Sequence, residues 1–187
     1  MKLWQNRLKW SIKAMTTDIQ GRSGFYNSFE SELNALKTYQ NDPLINRLLF
    51  SHTISIMEKY LSDLFIHEIS FNDVKLKRLA NQNKFKEQKL SVAFALNNSV
   101  SDWMINTMKK IVWHRLNDIQ ILYKDVLGIS FELEHPVIDA INKRHHLVHR
   151  NGYDLEGNLV SISDNDLENL ITTIKKFIAK IDEKYTS

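Results

Sequence analysis

Residues 43–70 have the sequence PLINRLLFSHTISIMEKYLSDLFIHEIS, in which apolar side chains recur at intervals of three and four. This spacing places them on one broad stripe of an α-helix. Asp42 is a suitable N-cap and Pro43 suits a first helical turn, so we expect the helix to begin there. It is the predicted backbone of the core, with buried residues Leu44, Leu48, Met57, Tyr60, Leu61, Leu64 and Phe65.

The same spacing continues through the chain, which has only five glycines and two prolines in 187 residues. Together these features predict an all-α fold. We expect residues 1–40 to form an N-terminal helical extension, broken near Gly21 and Gly24, and residues 41–187 to form the main domain. The extension either packs on a neighbouring helix or contacts an antitoxin or RNA, and helical spacing of its apolar residues favours packing.

Three further helices are predicted between residues 72 and 127. Residues 72–89 read as a basic helix with a weaker apolar stripe, and a short helix should follow within residues 90–100. Residues 101–127 predict one long helix of roughly 40 Å, because a helix rises about 1.5 Å per residue. Gly128 is placed to end it. Its predicted buried side comprises Met104, Met108, Ile111, Leu116, Ile119, Tyr123 and Val126.

Two more helices complete the prediction. Pro136 marks a first helical position, and that helix should end at Asn151-Gly152 with Ile138, Ile141 and Val148 on one face. Ser163 and Asp166 form a variant of the capping box that would open the last helix. The apolar stripe of the last helix comprises Leu167, Leu170, Ile171, Ile174, Phe177, Ile178 and Ile181.

The composition excludes several classes of site. The chain has no cysteine, so it has no disulfide, no thiolate nucleophile and no cysteine-ligated zinc. Its basic N-terminus lacks the apolar core of a signal peptide, and no apolar run of about 18 residues occurs. We therefore expect a soluble cytoplasmic protein without membrane contact. The lysine-rich residues 75–89 are either a docking face for a polyanion or a solvated helix face.

The most unusual stretch is RHHLVHRNG, residues 144–152, which holds three of the seven histidines between two arginines. At the end of a helix, Arg144, His145 and His149 should converge on one face, with Leu147 on another side. A structural interpretation is that cations near a helix C-terminus are favoured by up to about 1 kcal/mol. A second interpretation is that His145 and His149 bind a metal in a hydrolase, although no third ligand is evident and Arg144 would repel a cation.

A third interpretation is that the cluster handles a phosphodiester. Arginine matches phosphate oxygens in a bidentate fork, and histidine exchanges protons near neutral pH. These groups suffice for RNA cleavage without a metal, in which a base activates the 2′-hydroxyl that DNA lacks. Acid and base could come from two copies in a twofold dimer, or His145 or His146 could partner His149 within one chain.

The stretch KRHHLVHRNGYDLEGNLVSISDNDLENLI resembles the end of domains in the HEPN superfamily, particularly its RiboL-PSP-type members. Arg144, four residues and His149 match the R-x4-6-H motif of that superfamily. Upstream, LLFSHTISIMEKYLSDLF is similar to its early helix, and LNDIQILYKDVLGISFE to the segment before the motif helix. The resemblance covers roughly residues 43–184.

The resemblance implies a helical bundle that forms a homodimer and cuts single-stranded RNA without metal or cofactor, leaving a 2′,3′-cyclic phosphate. Arg144 would hold the scissile phosphate and His149 would transfer the proton, with His145, His146, Asn151 and Glu58 in supporting roles. Many members carry Asn directly after the arginine, where this chain has His145, and relatives often carry Asp or Asn in place of His146.

Relatives with this motif act as toxins or effectors in toxin–antitoxin, abortive-infection and other antiphage systems. The resemblance therefore implies an antitoxin or a defence-system protein as a further partner. Other HEPN domains are non-catalytic and serve as dimerisation or nucleic-acid-binding modules, which is the alternative function for this chain.

Overall fold

The structure, a computed structural model, describes residues 17–36 and 42–187, and the described residues confirm the all-α class. The predictions for residues 1–16 and 37–41 lie outside these ranges. In the described part of the chain, β-type pairing is limited to an isolated antiparallel bridge between Tyr153 and Leu159. The α-helices are α1 Gly24–Leu36, α2 Pro43–Phe71, α3 Asp73–Ala80, α4 Asn83–Lys86, α5 Val92–Asn97, α6 Val100–Met108, α7 Leu116–Leu122, α8 His135–His149 and α9 Asp164–Thr186.

The chain folds as two compact units. The first unit combines the described residues up to Tyr60 with Glu132–Ser187, and the second is Leu61–Phe131. Helix α2 contributes its first part to one unit and its last part to the other. The predicted division between residues 1–40 and 41–187 stays a prediction, since the residues around that boundary are not described.

The core of the first unit is built on α9. All seven residues of its predicted stripe are buried, and Ser163 with Asp166 forms the predicted capping box. Asp182 on α9 is a fully buried carboxylate. It accepts hydrogen bonds from the backbone N–H of Ser23 at 3.1 Å, from the Ser23 hydroxyl and from the Tyr60 hydroxyl at 2.9 Å. These bonds tie the segment before α1, and α2, to α9.

Helix α2 begins as predicted, because Asp42 Oδ1 accepts from the backbone N–H groups of Leu44 at 2.8 Å and Ile45 at 3.0 Å. The predicted stripe is buried from Met57 to Phe65. Its first two residues were predicted wrongly, since Leu44 is 57% exposed and Leu48 61% exposed. The reason is that the first turns of α2 present Asn46 to the core. Its amide nitrogen donates to Asp164 Oδ1 at 2.7 Å and to the Ile162 carbonyl at 3.3 Å.

The single helix predicted for residues 101–127 is wrong. Helix α6 ends at Met108, turns occupy residues 109–115, and α7 continues into a π-helical segment, Tyr123–Leu127. Trp113 explains the break: it follows Met104 by nine residues and would lie on the opposite side of a continuous helix, at about 100° per residue. The break lets Trp113 become buried, with its ring 5.6 Å from that of Phe65.

The rest of the second unit agrees better with the helices that the sequence predicts. The basic segment forms α3 and α4, with Asn72 Oδ1 capping α3 through the N–H groups of Val74 and Lys75. Of the weak stripe, Leu79 is fully buried whereas Val74 is exposed. The short helix α5 forms where predicted. Gly128, at φ 80°, ends the π-helical segment, which confirms the predicted end point.

Within the described ranges, no helix combines the length and the apolar character needed to cross a membrane.

Candidate functional site

Helix α8 ends where the sequence predicted, through a turn that the backbone of His146 holds. The His146 carbonyl accepts from the N–H groups of Arg150 at 3.2 Å and Gly152 at 3.1 Å. Asn151 and Gly152 follow with φ of 53° and 86°, in the left-handed region. Asparagine tolerates this region better than most residues, so Asn151 has a structural reason for its position. Of the apolar residues predicted to share one face of α8, Val148 is 47% exposed, and the buried residues of the helix are Val137 and Ala140.

The loop after α8 is organised by Asp154. Its Oδ1 accepts from the backbone N–H groups of Asn158 at 2.7 Å and Glu156 at 3.0 Å. The hydrogen bonds from Asn158 hold the pKa of the Asp154 carboxyl below its usual range. Val160 N–H donates to the Gly152 carbonyl at 2.8 Å, which closes the loop. This bonding fixes the backbone next to the histidine cluster.

The structure brings His145 and His149 together as the sequence predicted. Both are exposed, and their ring centroids are 4.8 Å apart. The His146 ring lies 6.2 Å from that of His145. Partial desolvation, then the positive charges of His149 and Arg150, lower the pKa of His145 below its usual 6.5. The neutral form of His145 therefore predominates at pH 7, and it has a ring nitrogen that can accept a proton.

Arg144 is half-buried, and its Nε atom is buried without a hydrogen-bond partner in the described part of the chain. The same holds for Nδ1 of His146. Neither Arg144 nor Arg150 forms an ion pair with a carboxylate of residues 17–36 or 42–187. Arg144 and the exposed Arg150 therefore carry positive charge that no described carboxylate pairs with, which favours an anionic ligand near this end of α8.

A third arginine, which the sequence reasoning missed, lies at this end of α8. Arg47 on α2 packs so closely on Gly152 that a Cβ atom there would be 2.6 Å from Nη1 of Arg47. Arg47 also lacks an ion pair with any described carboxylate. Its signal in the sequence is weak, because an isolated base in an apolar helix is common and only the fold brings it to residues 144–152.

The other predicted helper, Glu58, is partly buried on α2. It follows Arg47 by eleven residues and so lies about 16 Å further along the helix axis. Its role as an acidic helper stays a prediction. Among the described residues, no group of three or more histidine, aspartate or glutamate side chains is arranged to hold a metal ion.

Comparisons of the chain with protein-family models, curated protein sequences and solved structures find no match.

Proposed function

We propose that the protein is a metal-independent endoribonuclease of the HEPN type, which cuts single-stranded RNA and leaves a 2′,3′-cyclic phosphate. One observation supports this above all: His145 and His149 are in ring contact at an exposed helix end, beside arginines without a described carboxylate partner. Groups that are able to transfer protons and cations that are able to bind phosphate thus lie near one helix end, which supports the proposal.

The proposed reaction needs three functions. A base takes the proton from the 2′-hydroxyl, whose oxygen attacks the adjacent phosphorus, and the bond from phosphorus to the 5′-oxygen breaks as that oxygen takes up a proton. His145 suits the base because its lowered pKa leaves it neutral at pH 7. His149, from the same chain or from the second copy in the proposed dimer, then serves as the proton donor. Arg144 neutralises charge that develops on the phosphate oxygens.

The enzyme is proposed to act as a homodimer. The first unit exposes apolar side chains on the first turns of α2, on either side of Arg47 in sequence, and on the end of α8 and the loop after it. Six of them form a set that we call the apolar rim: Leu44, Leu48, Val148, Tyr153, Leu155 and Leu159. Single exposed apolar residues are ordinary, but several around one site are typical of a protein interface. A twofold axis there would bring two copies of the histidine cluster together.

The biological role follows from the motif resemblance. Such a nuclease would act as a toxin or effector in prokaryotic antiphage defence or in a toxin–antitoxin system, with an antitoxin or defence protein as a further partner. The lysines of residues 75–89 would attract RNA or an acidic partner from a distance.

The test is cleavage of end-labelled single-stranded RNA in the presence of EDTA. We expect the wild type to produce 2′,3′-cyclic ends. Arg144→Ala and His149→Ala should each lower the cleavage rate at least 100-fold, within the range for loss of a catalytic acid–base or charge-stabilising group. His135→Ala is the matched control, because His135 is an exposed histidine at the opposite end of the same helix.

The outcome separates the proposal from its alternatives. RNA binding without cleavage, unchanged by the variants, would contradict the nuclease and favour a non-catalytic HEPN module. Cleavage that EDTA abolishes and Zn²⁺ or Mn²⁺ restores would favour a metal-dependent hydrolase using His145 and His149.

A further inference from the structure

The second unit contains a cavity of about 620 Å³. It lies among the start of α4, the end of α6, the turns of residues 109–115 and α7. This volume is within the range of roughly 300–1,000 Å³ that is usual for small-molecule sites. None of the residues proposed for RNA cleavage lines it.

The lining of the cavity is cationic. Lys84, Lys110 and Arg115 face it, together with one carboxylate, Asp118. None of these three cations forms an ion pair with a carboxylate of the described ranges. Three positive charges around one concave surface make a positive potential that favours a multiply charged anion.

The remaining lining suits an apolar group with polar edges. Met108 and Ile119 are fully buried beneath the cavity, whereas Ile121 is 55% exposed at it. Gln82 and Asn83 also line it, and neither side-chain amide makes a hydrogen bond to another described residue. Apolar walls with a few available polar groups are the usual composition of a ligand site.

We propose that this cavity binds a phosphate monoester that carries an apolar group. Lys110 and Arg115 contact the phosphate, and the apolar side chains cover the esterified group. The lining carries three cations and the carboxylate of Asp118. A dianionic phosphate is a better ligand for it than a molecule with one carboxylate group, because the phosphate leaves less positive charge uncompensated. Nucleoside 5′-monophosphates and alkyl phosphates share this chemistry. The proposal does not depend on the nuclease activity.

The test is isothermal titration calorimetry of the full chain with adenosine 5′-monophosphate, octyl phosphate, adenosine and inorganic phosphate. At least one of the two esters should bind at least 10-fold more tightly than inorganic phosphate. The ester that binds more tightly shows whether the ligand is a nucleotide or an alkyl phosphate. The double variant Lys110→Gln/Arg115→Gln should weaken that binding at least 10-fold. Lys109→Gln is the matched control, because Lys109 is exposed beside Lys110 but does not line the cavity.

A second variant, Ile111→Trp, fills the cavity without changing its charge. It should weaken ester binding at least 10-fold, with circular dichroism confirming that the helices remain. The proposal is overturned if neither ester binds at millimolar concentration. It is also overturned if inorganic phosphate binds as tightly as the esters, or if Lys109→Gln weakens binding as much as the double variant does.

Discussion

Gly152 is favoured at its position mainly by its backbone conformation. Its φ of 86° is unfavourable for other residues, and a Cβ atom would in addition displace the flexible end of the Arg47 side chain. We expect Gly152→Ala to lower the free energy of unfolding by about 1–2 kcal/mol, as measured in urea. Gly157→Ala is the control, because Gly157 has a φ of 84° but open space at its Cβ position. Equal losses from both variants would show that the contact with Arg47 contributes nothing.

Asp182 is the buried acceptor that joins the segment before α1, and α2, to α9. Asp182→Ala would leave the Ser23 N–H, the Ser23 hydroxyl and the Tyr60 hydroxyl without their acceptor. We expect a loss of about 3 kcal/mol or more in the free energy of unfolding, because each buried donor left unpaired costs about 1–3 kcal/mol. Glu183→Ala, which removes an exposed partner of Arg22, should cost less than about 1 kcal/mol. Similar losses from both would contradict this role.

His145 gives a prediction about pH. Because its folded-state pKa is below 6.5, the unfolded chain binds its proton more readily, so the contribution of this group to stability falls as pH decreases through 6.5. Among the charged neighbours, His149 lowers the pKa of His145 most, so His149→Gln should raise that pKa toward 6.5. Titration of the ring resonances by NMR measures this. His135→Gln should leave it unchanged, and an unchanged pKa in His149→Gln would contradict the coupling.

At the scale of whole elements, the sequence predicted best those helices whose apolar periodicity is regular. Helix α9 and the middle of α2 have their predicted residues buried. The break between α6 and α7 could not be predicted in the same way, because the apolar spacing continues across it. The bend places Trp113 against Phe65, from a helix distant in sequence, and periodicity carries no signal for such a contact.

The capping box of α9 is a local signal that the sequence gives in full, and it can be tested alone. Ser163 Oγ accepts from Asp166 N–H at 3.1 Å, and Ser163 N–H donates to the Asp166 carboxylate at 2.9 Å. Ser163→Ala should reduce stability by about 1 kcal/mol in urea unfolding. Ser161→Ala, an exposed serine outside the helix, is the control and should have little effect. Comparable effects would show that the cap is not stabilising.

The same box has a pH dependence. Hydrogen bonds from the Ser163 hydroxyl and then its backbone N–H lower the pKa of Asp166 below 3.8. A carboxylate with a lowered pKa stabilises the fold above its unfolded-state value, and this contribution is lost as pH falls from about 3.8 through the lower folded-state pKa. In Ser163→Ala this acid-dependent part should shrink, which urea unfolding at pH 3 and pH 6 would measure.

At the scale of the whole molecule, the sequence predicted the histidine cluster because its three histidines lie within five consecutive residues of one helix. It did not predict Arg47, which the fold brings from a helix about 100 residues away. The same limit applies to the exposed residues Leu44 and Leu48. Periodicity shows that a face is apolar, but not whether the core of the same chain or another copy covers it.

The proposed dimer can therefore be tested through the apolar rim. Leu48→Glu or Leu155→Glu would place a carboxylate in the interface, and an unpaired buried charge costs about 3 kcal/mol or more, equivalent to at least about 100-fold in Kd. Sedimentation velocity should show a dimer for the wild type and a monomer for these variants, with RNA cleavage lost in the monomer. Leu96→Glu, at a strongly exposed leucine of the second unit, should stay dimeric and active. A wild type that sediments as a monomer yet cuts RNA would contradict the shared cleft and would assign acid and base to His145 and His149 of one chain.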